Sequence, residues 1–103
     1  MVPVYQLTIG YVGVPRPPEV IQATFPFGST FARIATNVWL IKAPPSGLLI
    51  PAAFGTQEFA ARVRAACSPA DNIFVCQVNL GDNGGFLQED VWRWINQVNT
   101  SRF

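Results

Sequence analysis

A chain of 103 residues fits one domain, and a domain of about that size buries roughly two-thirds of its unfolded surface without a metal or disulfide frame. Half of the residues are hydrophobic and 13% are aromatic, which excludes disorder. Seven basic and six acidic residues leave a net charge of +1, so no overall field draws the chain to nucleic acid or to an anionic membrane.

Charged residues make up only 13% of the chain, and 22 Ser, Thr, Asn and Gln residues share the task of solvating the surface. That balance suggests that another subunit or a partner covers part of the apolar excess. No run approaches the 18 or so apolar residues of a membrane span. The most apolar stretch, 38–54, is interrupted by Lys42, Pro44, Pro45, Gly47 and Pro51. The first five residues carry neither a basic flank nor an apolar signal core, and the expected location is cytoplasmic.

Residues 2–9 read as a first strand, because Tyr5, Leu7 and Ile9 alternate with Gln6 and Thr8. The Gly- and Pro-rich segment that follows is a loop. Pro17, Pro18 and Glu19 then open a short helix over 18–25, with proline in the first turn and an acid at the positive end of the helix dipole. Residues 29–36 and 38–43 read as two strands joined by a tight link at Asn37, with Trp39 and Ile41 on one face of the second. A loop over 43–55 carries three prolines.

Thr56 is the expected N-cap of a helix over 57–67. Its apolar stripe is Phe59, Val63, Ala66 and Cys67. Residues 72–80 alternate most clearly of all. Phe74, Cys76, Val78 and Leu80 share one face, and Phe74 is the expected core residue. After a glycine-rich turn at 81–85, a closing helix over 88–98 places Val91, Ile95 and Val98 on one face, with Leu87 just before it. Trp94 borders that stripe and Trp92 falls off it. This order predicts an α+β fold, a ferredoxin-like βαββαβ sandwich with an additional C-terminal helix, as a single domain over 1–103.

Little in the sequence carries reaction chemistry. There is no His, which removes Ser-His-Asp and Cys-His catalysis and His-ligated metals. Cys67 and Cys76 lack metal-ligand spacing and sit in apolar runs, as buried free thiols do. The 81–85 turn lacks the Lys-Ser/Thr of a phosphate loop. Glu89 and Asp90 complement the dipole of the last helix.

The binding candidates are Phe31, Arg33, Arg62, Arg64, Trp92 and Trp94. Arg62 and Arg64, two residues apart, cannot share a helix face, and the plainer reading leaves them solvated. Arg33 beside Phe31 offers a cation and an aromatic either to a nucleobase or to a dimer contact. Trp92 is a candidate interface anchor, since Trp is enriched at binding hot spots.

Three stretches carry a family likeness: Tyr5-Gln-Leu-Thr-Ile-Gly10, Val38-Trp39-Leu40-Ile41-Lys42, and 57–79 with its Asp71-Asn72 pair, followed by the Trp-containing end. The chain resembles the small bacterial proteins of the Cas2-like, SinR-like group. The resemblance implies the sandwich fold, a homodimer and a setting in defence, toxin–antitoxin or phage biology. Cas2-type nucleases carry a metal-associated Asp at the end of the first strand, where this chain has Gly10 and Tyr11. Neither side chain suits a hard cation such as Mg²⁺.

The expectation is therefore a non-enzymatic, homodimeric protein-interaction module with no cofactor and no metal. The alternative is a Cas2-like nucleic-acid-binding protein or metal-dependent nuclease.

Overall fold

A computed structural model describes residues 4–42, 55–80 and 84–100. The elements run β1 (Val4–Gly10), α1 (Pro18–Gln22), β2 (Thr30–Ala35), β3 (Val38–Lys42), α2 (Thr56–Arg64), β4 (Asn72–Val78) and α3 (Glu89–Thr100). The strands form one antiparallel sheet in the order β2-β3-β1-β4. Over the described residues the molecule is a small α+β domain with a four-stranded sheet and three helices. The expected 43–55 loop and 81–85 turn fall largely outside the described residues.

Element order follows the reading from the sequence, and the boundaries shift for local reasons. α1 is one turn shorter than expected. Its chain closes through tighter bonds from the Thr24 and Phe25 amides to the Ile21 and Gln22 carbonyls, at 3.0 and 3.2 Å. The Thr24 hydroxyl adds a bond of 2.6 Å to the Ile21 carbonyl. Thr56 is not the N-cap of α2: that position belongs to Gly55, and no side chain caps the helix. α2 ends at Arg64, where Ala66 and Cys67 donate to Val63 and Arg64 in a tightened last turn.

Side chains alternate across a strand, so the pairing register divides the sheet into two faces. Tyr5, Leu7 and Ile9 of β1, Trp39 and Ile41 of β3 and Ile73 and Val75 of β4 share the first face. There they meet Ile21 of α1 and Phe59 and Val63 of α2 in the main core. Trp39, Phe59, Leu7 and Ile9 are fully buried, each contributing roughly 1.5–3 kcal/mol relative to exposure. The aromatic rings interlock, with Phe25 edge-on to Trp39 at 6.3 Å and tilted against Phe59 at 5.7 Å. The Trp39 indole N–H donates to Gln22 Oε1 at 3.2 Å, so this buried donor is satisfied from α1.

The opposite face belongs to α3. Leu40, Val91 and Ile95 form a second, smaller core with Ile34 of β2, Val78 and Leu80 flanking it. By register, Ile34 and Val78 lie toward opposite ends of the sheet, so α3 crosses diagonally. It leaves one corner open, the row Val38–Thr8–Phe74. Phe74 is 65% exposed there. The expectation that Phe74 is core is thus overturned. β4 is apolar on both faces, and the residues it packs against the main core are the half-buried Ile73 and Val75 on the other side. Alternation identified a strand without saying which face the helices take.

Candidate interaction surfaces

The six candidate side chains separate into two groups. Phe31, Arg33 and Trp94 meet across the outer edge of β2, the first two from the α1–α2 face and Trp94 from α3. All three line one cleft of about 370 Å³, with Ala32, Val91 and Arg93 among their neighbours. Arg33 is held at the sheet edge, where Nη2 and Nε donate to the Thr36 carbonyl at 2.9 and 3.3 Å. Its guanidinium also lies 5.8 Å from the centre of the Trp39 ring, a separation at which cation–π attraction acts. Phe31 packs edge-on against Phe25 at 5.3 Å and keeps a partly exposed edge.

Trp94 is half-buried, and its indole nitrogen is buried without a hydrogen-bond partner. An orphaned donor of this kind costs about 1–3 kcal/mol. Trp92 is half-buried against the second core and lines neither cleft along β2.

Arg62 and Arg64 lie on α2, which packs on the opposite face of the sheet. Arg64 is committed to the fold. It donates from Nη1 to the Asp71 carbonyl at 3.1 Å and from Nη2 to the Pro69 carbonyl, closing the α2–β4 turn. Arg62 is exposed on the same helix.

Asp71, the one buried charged residue among those described, organises that corner. Oδ1 accepts the Val12 amide and Oδ2 the Ser68 amide, each at 3.0 Å. Both carboxylate oxygens are therefore engaged by backbone. Burial pushes the Cys67 thiol above its usual pKa, and the nearby Asp71 charge pushes in the same direction. A thiol shifted that way is a poorer nucleophile at neutral pH. Burial likewise raises Tyr11, helped by Cys67 and Asp71. Among the described residues, no group of three Asp, Glu or Cys side chains is placed to hold a metal ion. Gly10 pairs with Asn72 across the sheet, and a Cβ built there would sit 3.4 Å from Asn72 Cβ.

The open corner around Phe74 is a second surface. Thr8 and Val38 beside it are half-buried, as is Cys76 two residues along. Sequence reasoning missed this corner because it placed Phe74 inside. It also missed that Arg93 joins Trp94 at the cleft. The signal was present: Asp90, Arg93, Trp94 and Gln97 follow the i, i+3, i+4, i+7 spacing of one helix face, beside the apolar stripe.

Both cysteines are free and half-buried. Among the described residues, no helix is long and apolar enough to cross a membrane. No family model, curated protein or solved structure matches the chain.

Proposed function

We propose that the protein is a non-enzymatic interaction module that works as a homodimer, built on a ferredoxin-like sandwich with a third helix on the far face. The antiparallel order β2-β3-β1-β4 supports that fold, the split βαβ plan. It is also the order expected of a Cas2-like or SinR-like relative, and that kinship implies a defence, toxin–antitoxin or phage-related partner. The two free thiols favour a reducing compartment such as the cytoplasm.

The observation that carries the reading is the contrast between the two sheet edges. Natural edge strands are usually guarded by charge, proline or a bulge. β2 has such guards against extended pairing: Arg33, and a register shift between Arg33 and Ala35 that leaves only Thr30–Arg33 regular. β4 has none. It is seven residues long, uncharged (Asn-Ile-Phe-Val-Cys-Gln-Val) and pairs with β1 without interruption. An unguarded edge is self-complementary about a two-fold axis, because antiparallel pairing with its own copy continues the sheet. Such pairing would bring Phe74 of each protomer onto one shared face.

Binding is favoured over nuclease chemistry by the end of β1. Gly10 supplies no side-chain oxygen there, and the nearby Asp71 spends both of its oxygens on backbone amides.

Light scattering on a sizing column, with absorbance read at two wavelengths, tests the proposal. The expected species has twice the 11.3 kDa of the chain and no excess absorbance from nucleic acid. Phe74→Asp is expected to shift it to monomer while circular dichroism stays unchanged. A wild-type monomer would overturn the dimer. Bound nucleic acid persisting in high salt would overturn the binding-module reading in favour of the Cas2-like one.

A further inference from the structure

Two cavities of about 370 and 380 Å³ lie side by side along β2 and share Arg33 and Val91. The first touches Phe31, Ala32 and Arg33 in succession, and the second Arg33, Ile34, Ala35 and Thr36. Successive strand residues point to opposite faces. A cavity in contact with three in a row therefore runs along the outer edge of the strand. Together the two form one trough beside β2, about 20 Å long for a strand of this length. Its other wall is the α3 stripe that contains Asp90, Arg93, Trp94 and Gln97. Phe86, fully exposed, stands at the far end.

An edge strand flanked by a helix is a receptor geometry for an extended peptide, whose main chain pairs with the edge while alternate side chains enter the groove. We propose that this trough binds a short extended segment of a partner protein, carrying acidic side chains beside an apolar one, as an added strand on β2.

Three observations select that occupant. Among the described residues the Trp94 indole N–H has no acceptor, and a carbonyl or carboxylate reaching it from the trough would relieve it. Arg33 and Arg93 outnumber Asp90 along the walls. Among the described residues Arg93 pairs with Glu89, at 3.6 Å, through side chains that are 64% and 91% exposed, so it is readily redirected. Phe31 and Phe86 supply exposed aromatic surface at either end.

The bulge after Arg33 limits the length. Regular pairing runs over Thr30–Arg33, so the site takes a segment of a few residues and resists open-ended sheet growth.

The inference rests on the binding-module reading but uses the edge opposite the dimer edge. The test is an NMR titration of the full chain with three probes. These are a blocked heptapeptide alternating Glu with Val and Phe, its counterpart with Lys at each Glu, and a heptauridylate.

The acidic peptide is expected to shift the amides of 30–33 and the Trp94 indole proton saturably. It should bind about tenfold more tightly than the Lys counterpart, and more weakly as salt rises. Trp94→Phe, which keeps the aromatic wall and removes the donor, should weaken it about fivefold. Arg33→Gln should narrow the gap between the two peptides.

Absence of saturable shifts at these residues up to millimolar peptide would overturn the inference. Equal affinity for the Lys peptide, or occupation of the trough by the heptauridylate, would do the same. Light scattering on the same samples keeps the two proposals separate. A dimer that ignores the acidic peptide removes this inference alone, and a monomer that binds it removes the dimer alone.

Discussion

The two faces of the sheet carry similar apolar residues and meet different fates. On the α1–α2 face, Leu7, Ile9, Trp39, Ile41, Phe59 and Val63 are fully buried and every indole and ring has neighbours. On the α3 face, among the described residues, the core cluster is just Leu40, Val91 and Ile95, with Val4 buried at its margin, and a phenylalanine in mid-strand stands in solvent. The difference follows from coverage. Two short helices and the aromatic Phe25 close the first face, whereas one diagonal helix cannot span four strands. A closed face stores stability, and a partly covered one offers surface.

The comparison is broken or sharpened by perturbing matched residues on the two faces. Phe59→Ala is expected to destabilise by about 3–5 kcal/mol, since it empties the centre of the closed face. Urea unfolding would measure this, and a cost near 1 kcal/mol would mean that the α1–α2 core is not close-packed.

Asp71→Ala should cost about 1–3 kcal/mol by stranding the Val12 and Ser68 amides, read from the same curves. Asp71→Asn, which keeps an acceptor for one of them, should cost less.

High pH should weaken the closed face. Tyr5, Tyr11 and Cys67 all have raised pKa values, burial being the largest cause for each, against usual values of 10.0 for tyrosine and 9.0 for cysteine. The folded state therefore holds these protons more tightly than the unfolded state. The stabilisation is complete below about pH 9 and declines as pH rises through the folded-state values. The urea midpoint should fall as pH rises past those usual values. A flat profile would mean that these groups are solvated.

Phe74→Ser is expected to change monomer stability by less than about 0.5 kcal/mol while abolishing self-association. A cost like that of Phe59→Ala would show that the corner is core after all.

Much of the fold was legible in the sequence. Period-two alternation at Tyr5, Leu7 and Ile9, the prolines before α1 and the helical spacing of Phe59 and Val63 gave the order of elements. The faces were less legible. β4 is apolar at nearly every position, so alternation alone could not choose between Phe74 and Val75, and the choice depended on where α3 docks. The cleft was partly legible. Phe31, Arg33 and Trp94 were singled out separately, but their meeting depends on α3 crossing β2, some 60 residues away in sequence. Arg64 and Asp71 illustrate the converse. The charge of Arg64 suggests binding, yet both residues are consumed in closing one turn, and the Ser-Pro-Ala-Asp spacing of that turn was the available hint.

The central position of β1 also bears on how the chain is made. Its inner neighbour β3 follows after some 30 residues, but its second partner, β4, is formed from residues 72–78. During synthesis at about 5–20 residues per second, the first strand waits roughly 3–14 s for that partner to be made. Until then Tyr5, Leu7 and Ile9 have only half of their sheet. Folding is therefore completed late, and until β4 is made the open side of β1 is an unpaired apolar edge prone to association.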